Sequence, residues 1–96
     1  MCNQCKQERA IIARKNLDKK KIAEDMAKVR EMKSRNSENI ARAIRNARNP
    51  LEKARLRERK ARDNENFARQ IESLRRKKES IAAEVARIRA RIANRH

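Results

Sequence analysis

The sequence predicts an all-α chain, and three features of its composition support this fold class. Glycine is absent, proline occurs once and Phe67 is the only aromatic residue among 96, so tight turns and strand faces lack their usual residues. Charged residues make up 44% of the chain, as in long helices and coiled coils. Many apolar residues are alanines, which fill a core poorly. We expect one extended unit over residues 1–96, a helical hairpin or coiled coil with a long C-terminal helix, as part of an assembly or oligomer.

The first half of the chain predicts two helices, at approximately 6–34 and 37–48. Large apolar residues recur there at helical steps in two groups: Ile22, Met26 and Val29, then Ile40 and Ile44. The intervening "KSRNSEN" is rich in residues that favour caps and turns, so we expect a break around Ser34 to Asn39. Ile11 and Ile12 do not connect in phase with Leu17 and Ile22, which indicates a further weak point near Asn16.

A third helix, at approximately 50–93, is predicted to begin at "RNPLEKA". Asn49 is suited to the N-cap, Pro50 to the first helical position and Glu52 to the third, where it can complete a capping box. Proline also disfavours helical geometry in the residue before it, so the preceding helix should end near Ala47 or Arg48.

Heptad spacing in the third helix predicts a seam for pairing with another helix. Its members alternate at steps of four and three and are interrupted once, by Lys78: Phe67, Ile71, Leu74, Ile81, Val85, Ile88 and Ile92. Such a narrow apolar stripe requires a facing helix, either from the same chain or from a second copy. The spacing does not decide between these alternatives.

The excess of basic residues predicts a polyanionic partner. Lys and Arg number 29 against 13 Asp and Glu, a formal charge of +16 that is shared by both halves of the chain. Nucleic acid is the commonest partner of such a chain. The candidate contacts lie in clusters with little local neutralisation, or lack an acid one turn upstream: Lys19, Lys20, Lys21, Arg42, Arg45, Arg48, Arg55, Arg57, Arg59, Lys60, Arg75, Arg76, Lys77 and Lys78.

An Ala-Arg pair recurs every seven residues from Ala47 to Arg69, and it has two interpretations. The alanines and Leu51 predict a weakly packed small-residue seam. Several arginines follow a glutamate by four residues, as Arg69 follows Glu65, and such pairs stabilise a helix by about 0.2–0.5 kcal/mol each. Arg48 and Arg55 lack this partner and are the better candidates for phosphate contacts.

Part of this repeat resembles a known class of RNA-binding peptide. Residues 54–69, "ARLRERKARDNENFAR", resemble the arginine-rich helical peptides with which some phage antitermination proteins bind RNA hairpins. The resemblance covers about one sixth of the chain and implies helical contact with RNA. The overall composition is also similar to that of small helical ribosomal proteins, without a shared motif, and no family is assigned.

The pair Cys2 and Cys5 has the spacing of half a zinc site. We expect no cofactor, although zinc shared between two chains remains open. The sequence contains one histidine, His96, and its acids are dispersed among bases, so we expect neither catalysis nor a small-molecule substrate. No apolar run or N-terminal hydrophobic stretch predicts membrane insertion or secretion.

The favoured hypothesis is a non-enzymatic helical protein that binds the nucleic-acid backbone without sequence preference. It would act in the cytoplasm, or within a ribonucleoprotein, nucleoid or viral particle. Missing aromatic platforms and glycine loops exclude the common single-strand RNA-binding modules. The alternative is a helical scaffold, adaptor or inhibitor that binds an acidic protein surface. Self-association through the heptad seam is open in both cases.

Overall fold

The protein consists of two long helices joined by a short turn. The computed structural model describes residues 3–95. Helix α1 spans Asn3–Asn46 and helix α2 spans Pro50–Arg95, and no strand occurs between residues 3 and 95. The predicted all-α helical hairpin is therefore confirmed.

The chain divides into two compact units, and each contains a segment of both helices. Unit 1 comprises Met1–Asp25 and Leu74–His96, and unit 2 comprises Met26–Ser73. In unit 2 the segments are joined by the turn. In unit 1, Glu8 pairs with Arg95 and Lys15 with Glu84, so the two segments run in opposite directions.

The core of unit 1 is built from the C-terminal part of the seam and one isoleucine of α1. Ile12, Val85 and Ile88 form a buried cluster, and Ile81 and Ile92 pack against it. Burying side chains of this size stabilises by roughly 1.5–3 kcal/mol each. This part of the seam therefore has its facing helix within the same chain.

Helix α1 continues without interruption through 34–39, where the sequence predicted a break. Residues at steps of three and four along it are all buried or half-buried: Cys5, Glu8, Ile12, Lys15, Lys19, Ile22, Met26, Val29, Lys33, Asn36 and Ile40. Lysine can occupy such positions because its aliphatic stem packs while its ammonium group reaches water. The weak point predicted near Asn16 is also wrong, because Ile12 and Ile22 share this stripe and Leu17 is exposed outside it.

The polar residues of the expected break bond to α2 within unit 2. Asn36 donates a hydrogen bond from Nδ2 to Asp63 Oδ2 at 2.9 Å, and the hydroxyl of Ser37 lies 2.9 Å from Asn64 Oδ1. These residue types interrupt helices when their side chains bond to the local backbone. Here the side chains are used across the helix pair, so α1 remains regular.

In the first part of α2, two larger apolar side chains are half-buried, whereas three alanines and Leu51 lie at the surface. Leu56 and Phe67 are half-buried, whereas Ala54, Ala61 and Ala68 are exposed and Leu51 is 61% exposed. Larger side chains gain more from leaving water, because the gain follows the apolar area removed. Of the expected alanine seam, Ala47 is half-buried, and the part that lies on α2 faces solvent.

The turn has the predicted cap. Asn49 Oδ1 accepts the backbone N–H of Glu52 at 2.8 Å, and its carbonyl accepts that of Lys53 at 3.2 Å. Pro50 is the first residue of α2. Helix α1 ends at Asn46, one to two residues before the predicted end at Ala47 or Arg48, and Ala47 N–H donates to the Ile44 carbonyl at 3.3 Å.

Replacing the cap should destabilise the fold measurably. Asn49→Ala removes the side-chain acceptor at the start of α2 and should lower the free energy of unfolding by about 0.5–2 kcal/mol. Urea denaturation followed by circular dichroism measures this. Asn66→Ala, at an exposed site within α2, is the matched control and should not destabilise, because alanine favours helix. Equal losses in both variants would contradict the cap.

Because the seam pairs within the chain, truncating one of its buried side chains should lower stability more than truncating an exposed apolar side chain. Ile88→Ala should lower the free energy of unfolding by about 2–5 kcal/mol, because it opens a cavity in the unit 1 cluster. Leu51→Ala, at an exposed site, should change it by no more than about 0.5 kcal/mol. Both are measured by urea denaturation at several protein concentrations. A midpoint that rose with concentration would show that the seam pairs between chains.

Candidate polyanion-binding surface

A run of arginines without ion pairs lies in unit 2, where α1 ends and α2 begins. Residues 39–57 contain six basic side chains and a single acid, Glu52. Five of these basic side chains are exposed arginines, which we name the turn arginines: Arg42, Arg45, Arg48, Arg55 and Arg57. These arginines lie close in sequence, on both sides of the short turn, so their charges add locally.

The turn arginines lack ion pairs with any residue in the described range 3–95. Arg42 and Arg45 line a shallow surface hollow with Ala41 and Glu38. Arg45 lies in the last turn of α1, where the helix dipole favours a cation. Arg42 and Arg45 therefore lie near one another, with donors available to an external anion.

The structure places the other predicted basic contacts in three different environments. Lys20, Lys21 and Lys77 are exposed. Lys19, Lys60 and Lys78 are half-buried in the helix contact, where the stem packs and the ammonium group reaches water. Arg59 and Arg75 form i, i+4 ion pairs, at 3.8 Å with Asp63 and 3.9 Å with Glu79, and Arg76 also has a partner.

The Ala-Arg repeat is exposed from Arg48 to Arg69, at every alanine and arginine of the pairs, but its arginines differ in whether a carboxylate neutralises them. Arg69 Nη2 lies 2.6 Å from Glu65 Oε1, as predicted from the spacing of four. Arg35 has the same arrangement on α1, 2.5 Å from Glu31. The guanidinium N–H groups of these arginines donate to carboxylates of the same helix. The turn arginines have no such partner among the described residues.

The predicted helix-pairing residues are turned away from solvent. Met26, Ile40, Val85 and Ile88 are buried, and the others are half-buried: Ile22, Val29, Ile44, Phe67, Ile71, Leu74, Ile81 and Ile92. The only aromatic ring of the chain is thus largely withdrawn from any exposed surface.

Unit 1 contains a polar cluster that the sequence reasoning missed. Arg95 donates hydrogen bonds to Glu8 Oε1 and to the Cys5 thiol. Both bonds raise the pKa of Arg95, and the bond to Glu8 makes the larger contribution. Glu8 and Cys5 occupy heptad positions with Ile12, and this register is the signal that could have identified them.

A second cross-helix ion pair of unit 1 joins Lys15 to Glu84. The hydrogen bond from Lys15 lowers the pKa of Glu84, its charge lowers it further, and Arg87 adds a smaller contribution, while partial desolvation opposes them. Both residues are accessible enough for solvent to screen the pair.

Only one cysteine of the predicted metal half-site lies within the described residues. Cys5 is buried, and Cys2 lies outside the described residues. Within residues 3–95, no three His, Cys, Asp or Glu side chains are grouped closely enough to hold a metal ion.

The chain matches no protein-family model, no curated protein and no solved structure. Over residues 3–95, neither helix combines the length and the apolar character needed to cross a membrane. A role must therefore be inferred from the charge and geometry of the described residues.

The Lys15–Glu84 pair predicts a specific loss of stability in acid. Because the folded state lowers the pKa of Glu84, the pair stabilises above the ordinary value of 4.5 and is lost as pH falls through the lower folded value. Glu84→Gln should therefore flatten the decline in unfolding free energy below about pH 4.5. Urea titrations from pH 7 to pH 3 measure this slope. Glu38→Gln, which removes an exposed carboxylate, is the control; an equal flattening would contradict the assignment.

Proposed function

We propose that this protein is a non-enzymatic nucleic-acid-binding protein that contacts the phosphate backbone through the turn arginines. The supporting observation is a group of five exposed arginines without ion pairs in the described range. Guanidinium groups bind phosphate oxygens through charge-assisted, frequently bidentate hydrogen bonds. A polyanion would neutralise charges that otherwise repel one another.

The proposal is for binding without base recognition. Phe67 is the sole aromatic residue and is half-buried, so an exposed platform for stacking unpaired bases is missing. Phosphate contacts position a protein on nucleic acid but carry no sequence information. The ligand class that fits is a double helix, in which bases are already stacked and phosphates form the outer surface.

The distinction between paired and unpaired arginines supports a localised contact. Arg35, Arg59 and Arg69 have carboxylates within 4 Å on their own helix. An external phosphate at these sites would compete with an existing partner. A phosphate bound to the turn arginines would compete with no such partner. We therefore infer that the turn arginines contribute more to affinity than the paired arginines. The protein would act inside a ribonucleoprotein, nucleoid or viral particle.

A charge-matched pair of variants tests the turn arginines. Arg42→Gln, Arg45→Gln and Arg48→Gln together remove three turn arginines, while the control combines Arg35→Gln, Arg59→Gln and Arg69→Gln. Fluorescence anisotropy with random-sequence duplex DNA and duplex RNA measures affinity across a salt series. The first variant should reduce the slope of log affinity against log salt by about 3, because each phosphate contact contributes roughly 0.9. The control should reduce it less.

Two outcomes would contradict the proposal. The first is absence of binding by the native chain to either duplex at about 50 mM salt, where backbone contacts are strong. The second is an equal effect of both triple variants, since general charge would then explain binding. Capture of an acidic protein by the native chain, lost in the Arg42, Arg45 and Arg48 variant, would favour the acidic-surface alternative when no duplex binds.

A further inference from the structure

Unit 1 contains an open groove between its two helical segments, and the proposed function does not use it. The groove has a volume of about 330 Å³ and is lined by five residues: Arg9, Ile12, Arg89, Ile92 and Ala93. Ile12 is buried and Ile92 is half-buried, and both belong to the contact between α1 and α2. The groove therefore has an apolar floor that opens to solvent.

The two arginines of the groove come from different helices. Arg9 lies on α1 and Arg89 on α2, and both are exposed. Neither forms an ion pair with a residue of the described range 3–95. The carboxylates of Glu8 and Glu84 already pair with other cations of unit 1. The groove thus combines an apolar floor with two cations whose charge is not neutralised by the described residues.

The exposed surface continues from the groove along both helices. Steps of four and three residues follow one face of a helix. From Arg9 along α1 and from Ala93 back along α2, such steps pass through small or polar side chains, all exposed except the half-buried Ala82: Ala13, Asn16 and Lys20, then Arg89, Ala86 and Ala82. Lys20 also has no ion pair within residues 3–95. We name the groove and these side chains together the groove face.

The length of the groove face indicates an elongated occupant. From Ala82 to Ala93 it extends over about 16 Å, or three turns of helix, at 1.5 Å per residue. A pocket for a small molecule instead encloses most of the surface of its ligand. Small side chains such as Ala13 and Ala86 let a further helix approach closely, because the distance between packed helices depends on the side chains at the contact.

The charge of the groove face indicates that this helix is acidic. Helices that bind in grooves insert large apolar side chains at helical spacing and place polar side chains at the rims. Arg9, Lys20 and Arg89 favour carboxylates at those rim positions by charge complementarity. A second copy of this chain fits poorly, because its formal charge of +16 is repelled by the same cations.

We propose that unit 1 binds an acidic amphipathic helix of a partner protein on the groove face. A large apolar side chain of the partner enters the groove and packs on Ile12 and Ile92, while carboxylates on either side of it pair with Arg9 and Arg89. Binding removes from water the apolar floor that α1 and α2 leave open, which is the main source of affinity. The turn arginines take no part in this contact, so it is independent of the proposed function.

A synthetic acidic peptide tests the proposal on the full-length chain without nucleic acid. The probe is a fluorescein-labelled peptide of about three heptads, with leucine and alanine at positions a and d and glutamate at e and g. The control peptide keeps every glutamate and replaces each leucine by glutamine, which also favours helix. Fluorescence anisotropy measures both affinities at about 150 mM salt, where long-range attraction to a basic chain is screened. We expect the leucine peptide to bind at least about tenfold more tightly, because it alone fills the apolar floor.

Variants of the groove cations locate the contact. Arg9→Gln combined with Arg89→Gln should weaken binding of the leucine peptide about tenfold, because two ion pairs are lost. The matched control combines Arg14→Gln with Arg91→Gln, which removes the same charge from the same helices at exposed positions that do not line the groove. It should change the affinity by less than about twofold, since solvent-exposed charges outside the contact are screened.

A charge introduced on the groove face provides a second test of location. Ala86→Glu should weaken binding of the leucine peptide at least about tenfold, because it sets a like charge against the glutamates of the peptide. Ala61→Glu, at an exposed alanine of α2 in unit 2, is the matched control and should bind normally. Circular dichroism verifies that every variant remains helical.

Four results would overturn the proposal. The first two are absence of binding of the leucine peptide and equal affinity for both peptides, since general charge would then account for the interaction. The third is native peptide affinity in the Arg9 and Arg89 variant; a loss of duplex DNA affinity there would assign the groove to nucleic acid. The fourth is a native dimer in sedimentation that Ala86→Glu dissociates, which would assign the groove to a second copy.

Failure of this proposal is distinguishable from failure of the proposed function. The variant that combines Arg42→Gln, Arg45→Gln and Arg48→Gln should lose affinity for duplexes but bind the leucine peptide within about twofold of the native chain, because these arginines lie in unit 2. An equal loss of both ligands would show that the peptide binds to the turn arginines and not to the groove face.

Discussion

Each unit of this protein depends on the same constraint: two helices in contact can bury only one narrow face of each. No third layer covers the opposite faces within residues 3–95, so apolar side chains are sufficient only where they meet across the pair, as at Ile12 and Val85. Elsewhere the buried face must accept polar residues and pair them. The bonds from Asn36 to Asp63 and from Lys15 to Glu84 meet this requirement. Because the buried face is so narrow, most charges of the chain are left to solvent.

The features that could be predicted from sequence were those encoded by neighbouring residues. Composition identified the helical class, and Asn49 with Pro50 identified the start of α2 because a cap is a local device. The seam from Phe67 to Ile92 was visible because its members are apolar. Polar members of the α1 stripe, such as Lys15, were missed because hydrophobic periodicity does not register them. The partner of Lys15 is 69 residues away, and no local pattern reveals such a pairing.

The same reasoning explains why some ion pairs could be predicted from the sequence and others could not. The pair of Glu65 with Arg69 follows from a spacing of four on one helix. Arg59 belongs to a basic cluster predicted to have little local neutralisation, yet it pairs with Asp63, which follows four residues later. The turn arginines are recognised as arginines without ion pairs only when the partner of each neighbouring carboxylate is known. Net charge alone therefore predicts a class of ligand, whereas pairing indicates where that ligand would bind.

The polar bonds of unit 2 also determine the alignment of its helices. A shift of one segment by a heptad preserves the stripe, since its positions recur every seven residues, but it would move Asp63 beside Val29 and Asn36 beside Leu56. Both of these new contacts leave a polar group against an apolar one, which costs more than the hydrogen bond itself contributes. Single polar pairs select register in coiled coils in the same way. The residues that first suggested an interrupted helix thus protect the hairpin against sliding.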